Sequence, residues 1–114
     1  MPVILIIEDE PRLAMAIARM LRPEFSSVWT GDPSVGLKLV DGVAGVDLVL
    51  TDLDLCHQLN GMDVVRFCRD QGVKVVLMSG DHQALSAIGQ SVRKLPKPFD
   101  PGALREALWS AVQG

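Results

Sequence analysis

Only two cysteines, Cys56 and Cys68, occur in the 114 residues, and they do not form a Cys-x-x-Cys pair. Two thiols in a chain long enough to build its own core do not make a disulfide framework. Both are therefore read as reduced, and the compartment as the cytoplasm. An excess of basic residues is missing as well: 11 Lys and Arg stand against 14 Asp and Glu, a net charge of −3. That balance argues against binding nucleic acid or a membrane surface through bulk charge. No stretch approaches the ~18 consecutive apolar residues of a membrane span. The first apolar run, Val3 to Ile7, has no basic residue before it and three acids directly after it, which is not the layout of a signal peptide. Repeats and low-complexity segments are also absent. What remains, 48% hydrophobic and 22% charged residues, excludes a disordered chain. The length is that of one domain spanning 1–114, burying roughly two-thirds of the surface its unfolded form exposes.

Two hydrophobic rhythms alternate along the chain. Val3-Ile4-Leu5-Ile6-Ile7 is a continuous, mostly β-branched run, as in a strand buried on both faces. Pro11 opens a helix whose stripe is Leu13, Ala14, Ile17, Ala18 and Leu21, and Pro23 stops it. Ser26 to Thr30 is a weaker strand, and Asp32-Pro33 starts a helix with Val35, Leu39 and Val40 on its apolar side. Val46 to Thr51 is a third strand ending at Asp52, followed by a polar loop to Gly61 and a helix to Asp70. Val73 to Met78 is a fourth strand, Asp81 to Ile88 a short helix, and Val92 to Leu95 a fifth strand. Asp100-Pro101 caps a last helix with the stripe Leu104, Leu108, Ala111 and Val112. Strands alternating with helices of this length predict right-handed β-α-β units and an α/β fold, a five-stranded doubly wound parallel sheet.

Such sheets bind ligands at the carboxyl ends of their strands. The residues arriving there are Glu8 and Asp9 after the first strand, Asp52 and Asp54 after the third, Ser79 after the fourth and Lys97 after the fifth. Carboxylates that close together need a counter-charge. A few carboxylates with waters suit Mg²⁺ better than Ca²⁺, and no thiolate or imidazole stands at zinc-ligand spacing. The set makes sense as a phosphoryl-transfer site with Asp52 as nucleophile and Ser79 and Lys97 on the phosphoryl oxygens. Each piece alone reads as a turn or helix start; their convergence on one edge carries the argument.

Four motifs in this order resemble the receiver domain of bacterial two-component response regulators over essentially the whole chain. They are Ile-Glu-Asp-Glu at 7–10, Asp-Leu-Val-Leu-Thr-Asp at 47–52, Val-Val-Leu-Met-Ser-Gly at 75–80 and Lys-Pro-Phe at 97–99. The resemblance implies a flavodoxin-like sheet with strand order 2-1-3-4-5. It implies that Asp52 accepts a phosphoryl group from a histidine kinase or a histidine phosphotransfer protein. Asp9 and Asp52 would ligate Mg²⁺ directly, Glu8 through water and Asp54 through its backbone carbonyl. Ser79 and Lys97 would bind phosphoryl oxygens, and the Lys97–Pro98 bond is expected to be cis, which proline permits at small cost. The output partner is an unspecified protein, with no direct contact to nucleic acid or membrane.

The chain departs from the family pattern in three places. The loop from Leu53 to Asn60 is one residue longer than the commonest form and lacks its proline, resembling receivers of hybrid kinases and some stand-alone regulators. Lys97 follows Ser79 by only 18 positions, so the fourth helix must be short or irregular. The family's switch aromatic falls at Lys94, in a chain without any tyrosine. Acidic Asp54 and Asp81 occupy positions that in the family influence loss of phosphate, and are expected to alter self-hydrolysis. Among the other residues, His57 and His82 read as solvated, Cys56 as a loop filler, Met15, Met20, Met62 and Met78 as core, and Trp109 as half-buried or partner-facing. Two other functions compete: a small haloacid-dehalogenase-like phosphatase using Asp52 and Asp54, and an adaptor that signals without phosphate.

Overall fold

The computed structural model describes residues 1–42 and 45–114. Strand β1 is Val3–Ile7, helix α1 Pro11–Leu21, β2 Ser26–Thr30, α2 Pro33–Gly42 and β3 Leu48–Asp52. Helix α3 is Gly61–Asp70, β4 Lys74–Ser79, α4 His82–Ala87, β5 Arg93–Pro96 and α5 Pro101–Gln113. The five strands form one sheet in the order β2-β1-β3-β4-β5, with every neighbouring pair parallel.

The alternation of strand side chains decides which helix packs where. Ile4 and Ile6 of β1 join Leu48, Leu50, Val76 and Met78 on the face covered by α1 and α5. Leu5 and Ile7 join Val49, Val75 and Leu77 on the face covered by α3 and α4, with half-buried side chains of α2 packed against them. Both faces of β1 and β3 are therefore buried, which is why their sequences show no polar alternation. Helix starts follow the local chemistry. Glu10, Asn60, Asp81 and Asp100 each accept a backbone N–H in the first turn, and Asn60 with Asp63 completes a capping box.

Several strand ends shift by one or two residues from the sequence reading. β3 starts at Leu48 because the Asp47 carboxylate turns back to accept the Val3 N–H (2.8 Å). β4 starts at Lys74 because the Val73 N–H still closes the end of α3 on the Cys68 carbonyl (2.8 Å). β5 runs one residue further than read, to Pro96. Two apolar residues expected inside lie outside: Val35 is 42% and Met15 53% exposed. Among the described residues of α2 the buried positions are Pro33 and Gly36, and a Cβ on Gly36 would meet the Ile7 side chain, so a glycine takes the place of the missing apolar contact. Met20 and Met62 pack partly buried against the core and Met78 is fully buried.

The two edges of the sheet differ. Every residue of β2, Ser-Ser-Val-Trp-Thr, is at least partly exposed, and none is charged or a proline. β5 is four residues long and carries Arg93, Lys94 and Pro96.

Candidate functional site

The carboxyl edge of the sheet brings together the residues singled out above. Glu8 follows β1 and is 1% exposed; Asp52 ends β3 at 6%; Ser79 ends β4 fully buried. Lys97 reaches in from the segment after β5. Its Nζ lies 2.9 Å from Glu8 Oε1 and 3.2 Å from Asp52 Oδ2. The counter-charge that the clustered carboxylates require is thus this lysine. The Lys97–Pro98 peptide is cis, as the resemblance implies, and a second cis bond joins Arg22 and Pro23.

Burial holds the Glu8 carboxyl above its ordinary value, against the lowering effect of its bonds from Lys97 and from the Glu10 N–H. Burial also pulls on Lys97, but the Glu8 hydrogen bond and the Asp52 charge outweigh it and leave the ammonium above its usual range. Asp9 is more open. Burial raises it, yet hydrogen bonds from the Cys56 thiol and backbone N–H (3.1 Å to Oδ2) dominate and hold it low. The same contact with Asp9 pushes the Cys56 thiol up, away from the reactive thiolate. Cys68 is buried in the core, its thiol pushed up to about 11 by burial.

The loops after β3 and β4 are held at their roots by main-chain and side-chain hydrogen bonds. Asp54 N–H donates to Asp52 Oδ1 (3.3 Å), and Leu53 N–H to the Met78 carbonyl (2.8 Å). The Ser79 hydroxyl donates to the Asp54 carboxylate (3.4 Å) and accepts from the Asp81 N–H (2.9 Å). The two acids thought to influence phosphate loss therefore differ. Asp54 touches the hydroxyl, whereas the Asp81 carboxylate is committed to the Ala84 N–H at the start of α4 (3.0 Å). His57 is exposed and lines a cavity of about 430 Å³ with Asp32 and Ser34 beside the site.

Two contacts at the site have no counterpart in the sequence reading. The Trp29 indole N–H donates to the Glu8 carbonyl at 2.7 Å, from the edge strand β2. The His82 ring bonds through Nε2 to the Lys97 carbonyl, also at 2.7 Å. Both link residues far apart in sequence, so no local pattern marks them. Trp109 is half-buried, its ring centroid 4.7 Å from that of Phe25 and its N–H on Glu24 (2.9 Å).

A family model, the response regulator receiver domain, matches residues 4–109. The chain belongs to this family. Similar solved structures include a response regulator receiver protein from Sinorhizobium medicae WSM419, at 22% identity and TM-score 0.85, covering 99% of this chain and 95% of that one. A sensor protein from Polaromonas sp. JS666 shares 26% identity at TM-score 0.83, covering 98% and 96%. The signal receiver domain of an HD domain-containing protein from Pseudomonas fluorescens Pf-5 shares 24% at TM-score 0.84, covering 98% and 94%. No curated protein matches the chain. The receiver sheet order 2-1-3-4-5 is the one observed.

Receiver domains bind Mg²⁺ at an acidic pocket. Here Glu8, Asp9 and Asp52 offer carboxylate oxygens that all lie within 4.8 Å of one another, a donor set of hard oxygens that fits this ion. Trp29 anchors the turn that carries two of these acids. Trp29→Phe keeps the ring and removes the N–H, a hydrogen bond worth ~1 kcal/mol. It is expected to lower the protein's stability by that amount in a denaturant titration. An unchanged stability would rule out this anchoring role.

Proposed function

We propose that this receiver domain, acting as one unit over residues 1–114, is a phosphoacceptor in two-component signalling. The observation that carries the reading is Lys97 Nζ placed between Glu8 and Asp52 at the mouth of the sheet. An Asp52 carboxylate oxygen attacks the phosphorus of a phosphohistidine on a kinase or phosphotransfer protein, the P–N bond breaks, and the imidazole leaves with its electron pair. Lys97 then has a phosphoryl oxygen to hold, and the Ser79 hydroxyl exchanges the Asp54 carboxylate for another. Asp9, Asp52 and the Asp54 backbone carbonyl would hold Mg²⁺ directly and Glu8 through water. When bound, the ion supplies positive charge against the negative charge spread over the three phosphoryl oxygens.

The added phosphate brings up to about two negative charges to Asp52 and biases a protein-interaction surface, to which an output protein binds. Turnover is limited to the domain's own phosphorylation and slow dephosphorylation, in the cytoplasm. Among the described residues no helix is long and apolar enough to cross a membrane. A phosphatase leaves Glu8 without a role, whereas here Glu8 is the buried partner of the lysine. Its second acid, Asp54, is turned to Ser79.

Intact-mass spectrometry after incubation with Mg²⁺ and acetyl phosphate tests the reading. The parent is expected to gain one phosphoryl group and Asp52→Asn none. A folded parent that gains nothing would favour the phosphate-independent adaptor, and sustained turnover of phosphate esters would favour the phosphatase.

A further inference from the structure

We infer that two copies of this chain associate through β2, the strands pairing antiparallel about a two-fold axis at Val28 so that the two five-stranded sheets become one. The inference does not rest on the phosphoacceptor reading.

The main chain of β2 is used on one side only. Ser26 N–H donates to the Pro2 carbonyl (2.9 Å), and the Thr30 carbonyl accepts from Glu8 N–H (3.1 Å). Ser26, Val28 and Thr30 therefore turn their polar groups toward β1, and the alternation of a strand turns those of Ser27 and Trp29 outward. Among the described residues nothing bonds to them. Open N–H and C=O groups on alternate residues recognise another extended strand. A second β2 meets that demand, because a two-fold axis makes an edge complementary to itself in the antiparallel sense. Centred on Val28, the pairing sets Ser27 opposite Trp29 of the second copy, and each such pair exchanges both of its main-chain hydrogen bonds. A register centred on Ser27 fails, since it needs the Phe25 N–H, which is closed on the Leu21 carbonyl (3.0 Å).

The side chains suit the same occupant. Among the described residues the large apolar side chains left exposed are Met1, Met15, Val28, Trp29 and Val35. Val28 and Trp29 are on β2, Met15 and Val35 on the two helices that flank it, and Met1 lines a hollow beside it. They present on the order of 500 Å² of apolar surface per copy and about 1,000 Å² in a pair, where specific association begins. At the axis Val28 meets its own counterpart. Trp29 shares the α1 face of the sheet with Ser27, and Ser27 lines that hollow of about 500 Å³ with Met1, Ala18, Pro23 and Phe25. Pairing thus brings the exposed part of each Trp29 ring to the hollow of the other copy. β2 has no charged residue, so the joint buries no ion of the strand. The carboxyl edges of the two sheets point to opposite ends, and both acidic sites stay open.

Sedimentation equilibrium of the purified chain tests the pairing. The parent is expected to be a monomer–dimer mixture with a dissociation constant in the micromolar range. Val28→Lys sets two ammonium groups face to face at the axis and is expected to weaken association by roughly tenfold or more. Ser27→Pro removes an outward N–H and spares the ladder to β1, and is expected to weaken association by a similar factor. Both variants should keep the parent's circular dichroism. Gln113→Lys adds the same charge near the end of α5 and is expected to associate like the parent. A dimer that survives either β2 substitution, or that is lost in Gln113→Lys, would overturn the inference. A parent that stays monomeric well above micromolar concentration would overturn it too and leave the edge to a strand of another protein.

Discussion

Replacing Lys97 by methionine is expected to cost the metal-free protein about 3–5 kcal/mol at neutral pH, the usual penalty for removing one partner of a buried ion pair. Methionine keeps the length and apolar stem of the lysine but leaves Glu8, 1% exposed, beside Asp52 with no cation. The pH dependence gives the mechanism away. Burial already holds Glu8 above its ordinary value of 4.5. A carboxyl raised on folding contributes its full stability below the unfolded value, and loses it as pH rises through the folded one. Without Lys97 the folded value climbs further. The gap between parent and Lys97→Met should therefore be small near pH 4 and widen toward neutrality. Denaturant titrations in EDTA across that range measure it, and adding Glu8→Gln to Lys97→Met should recover most of the loss. Equal stabilities at pH 7, or a gap that does not vary with pH, would show that the pair does not hold the edge together. Phosphoryl incorporation at Asp52 should fall in the same variant.

Gly61→Ala has the second large effect. Gly61 begins α3, and a Cβ there would stand 2.6 Å from the Leu53 Cα and 2.9 Å from Leu77 Cδ1, with the Asp52 carbonyl nearer still. The two closest obstacles are main chain, and Gly61 N–H is bonded to the Leu53 carbonyl (2.9 Å), so neither side can move alone. Overpacking of this kind costs about 1–3 kcal/mol and more where backbone cannot yield. For a chain of this size that is roughly 5–20 °C in Tm. Because the obstacle is Asp52, the nucleophile proposed above, phosphorylation should slow together with the loss of stability. Gly89→Ala, where a Cβ meets nothing within 4 Å, is the control and should leave both unchanged. A Gly61→Ala protein with the parent's Tm would mean that α3 can lift away from β3 freely.

The parts of the fold legible in the sequence are those whose chemistry is local. β1, β3 and β4 are buried on both faces and spell themselves as apolar runs; Pro11 and Pro101 open helices at the positions their fixed φ favours. Glu8, Asp9, Asp52, Ser79 and Lys97 were legible because strand ends in a parallel sheet share one edge. Illegible were contacts that join distant segments through a polar atom. Trp29 lies 21 positions from Glu8 and His82 15 from Lys97, and a tryptophan on a weak strand or a histidine at a helix start carries no mark of its partner. Val35 misled for a different reason: the described buried places on α2 belong to Pro33 and Gly36, and hydrophobic periodicity does not count a glycine.

The unlike edges of the sheet also bear on what happens when these molecules are crowded together. Among the described residues no strand pairs with the outer side of β2, which leaves main-chain donors and acceptors open along a strand with no charge or proline to repel a newcomer. At the opposite margin Arg93, Lys94 and Pro96 refuse such pairing. Growth of stacked sheets into a fibre needs two receptive margins per molecule, one to join and one to be joined. With a single receptive margin, strand-to-strand association saturates at a pair, and the chain is guarded against polymerisation by the composition of its last and shortest strand.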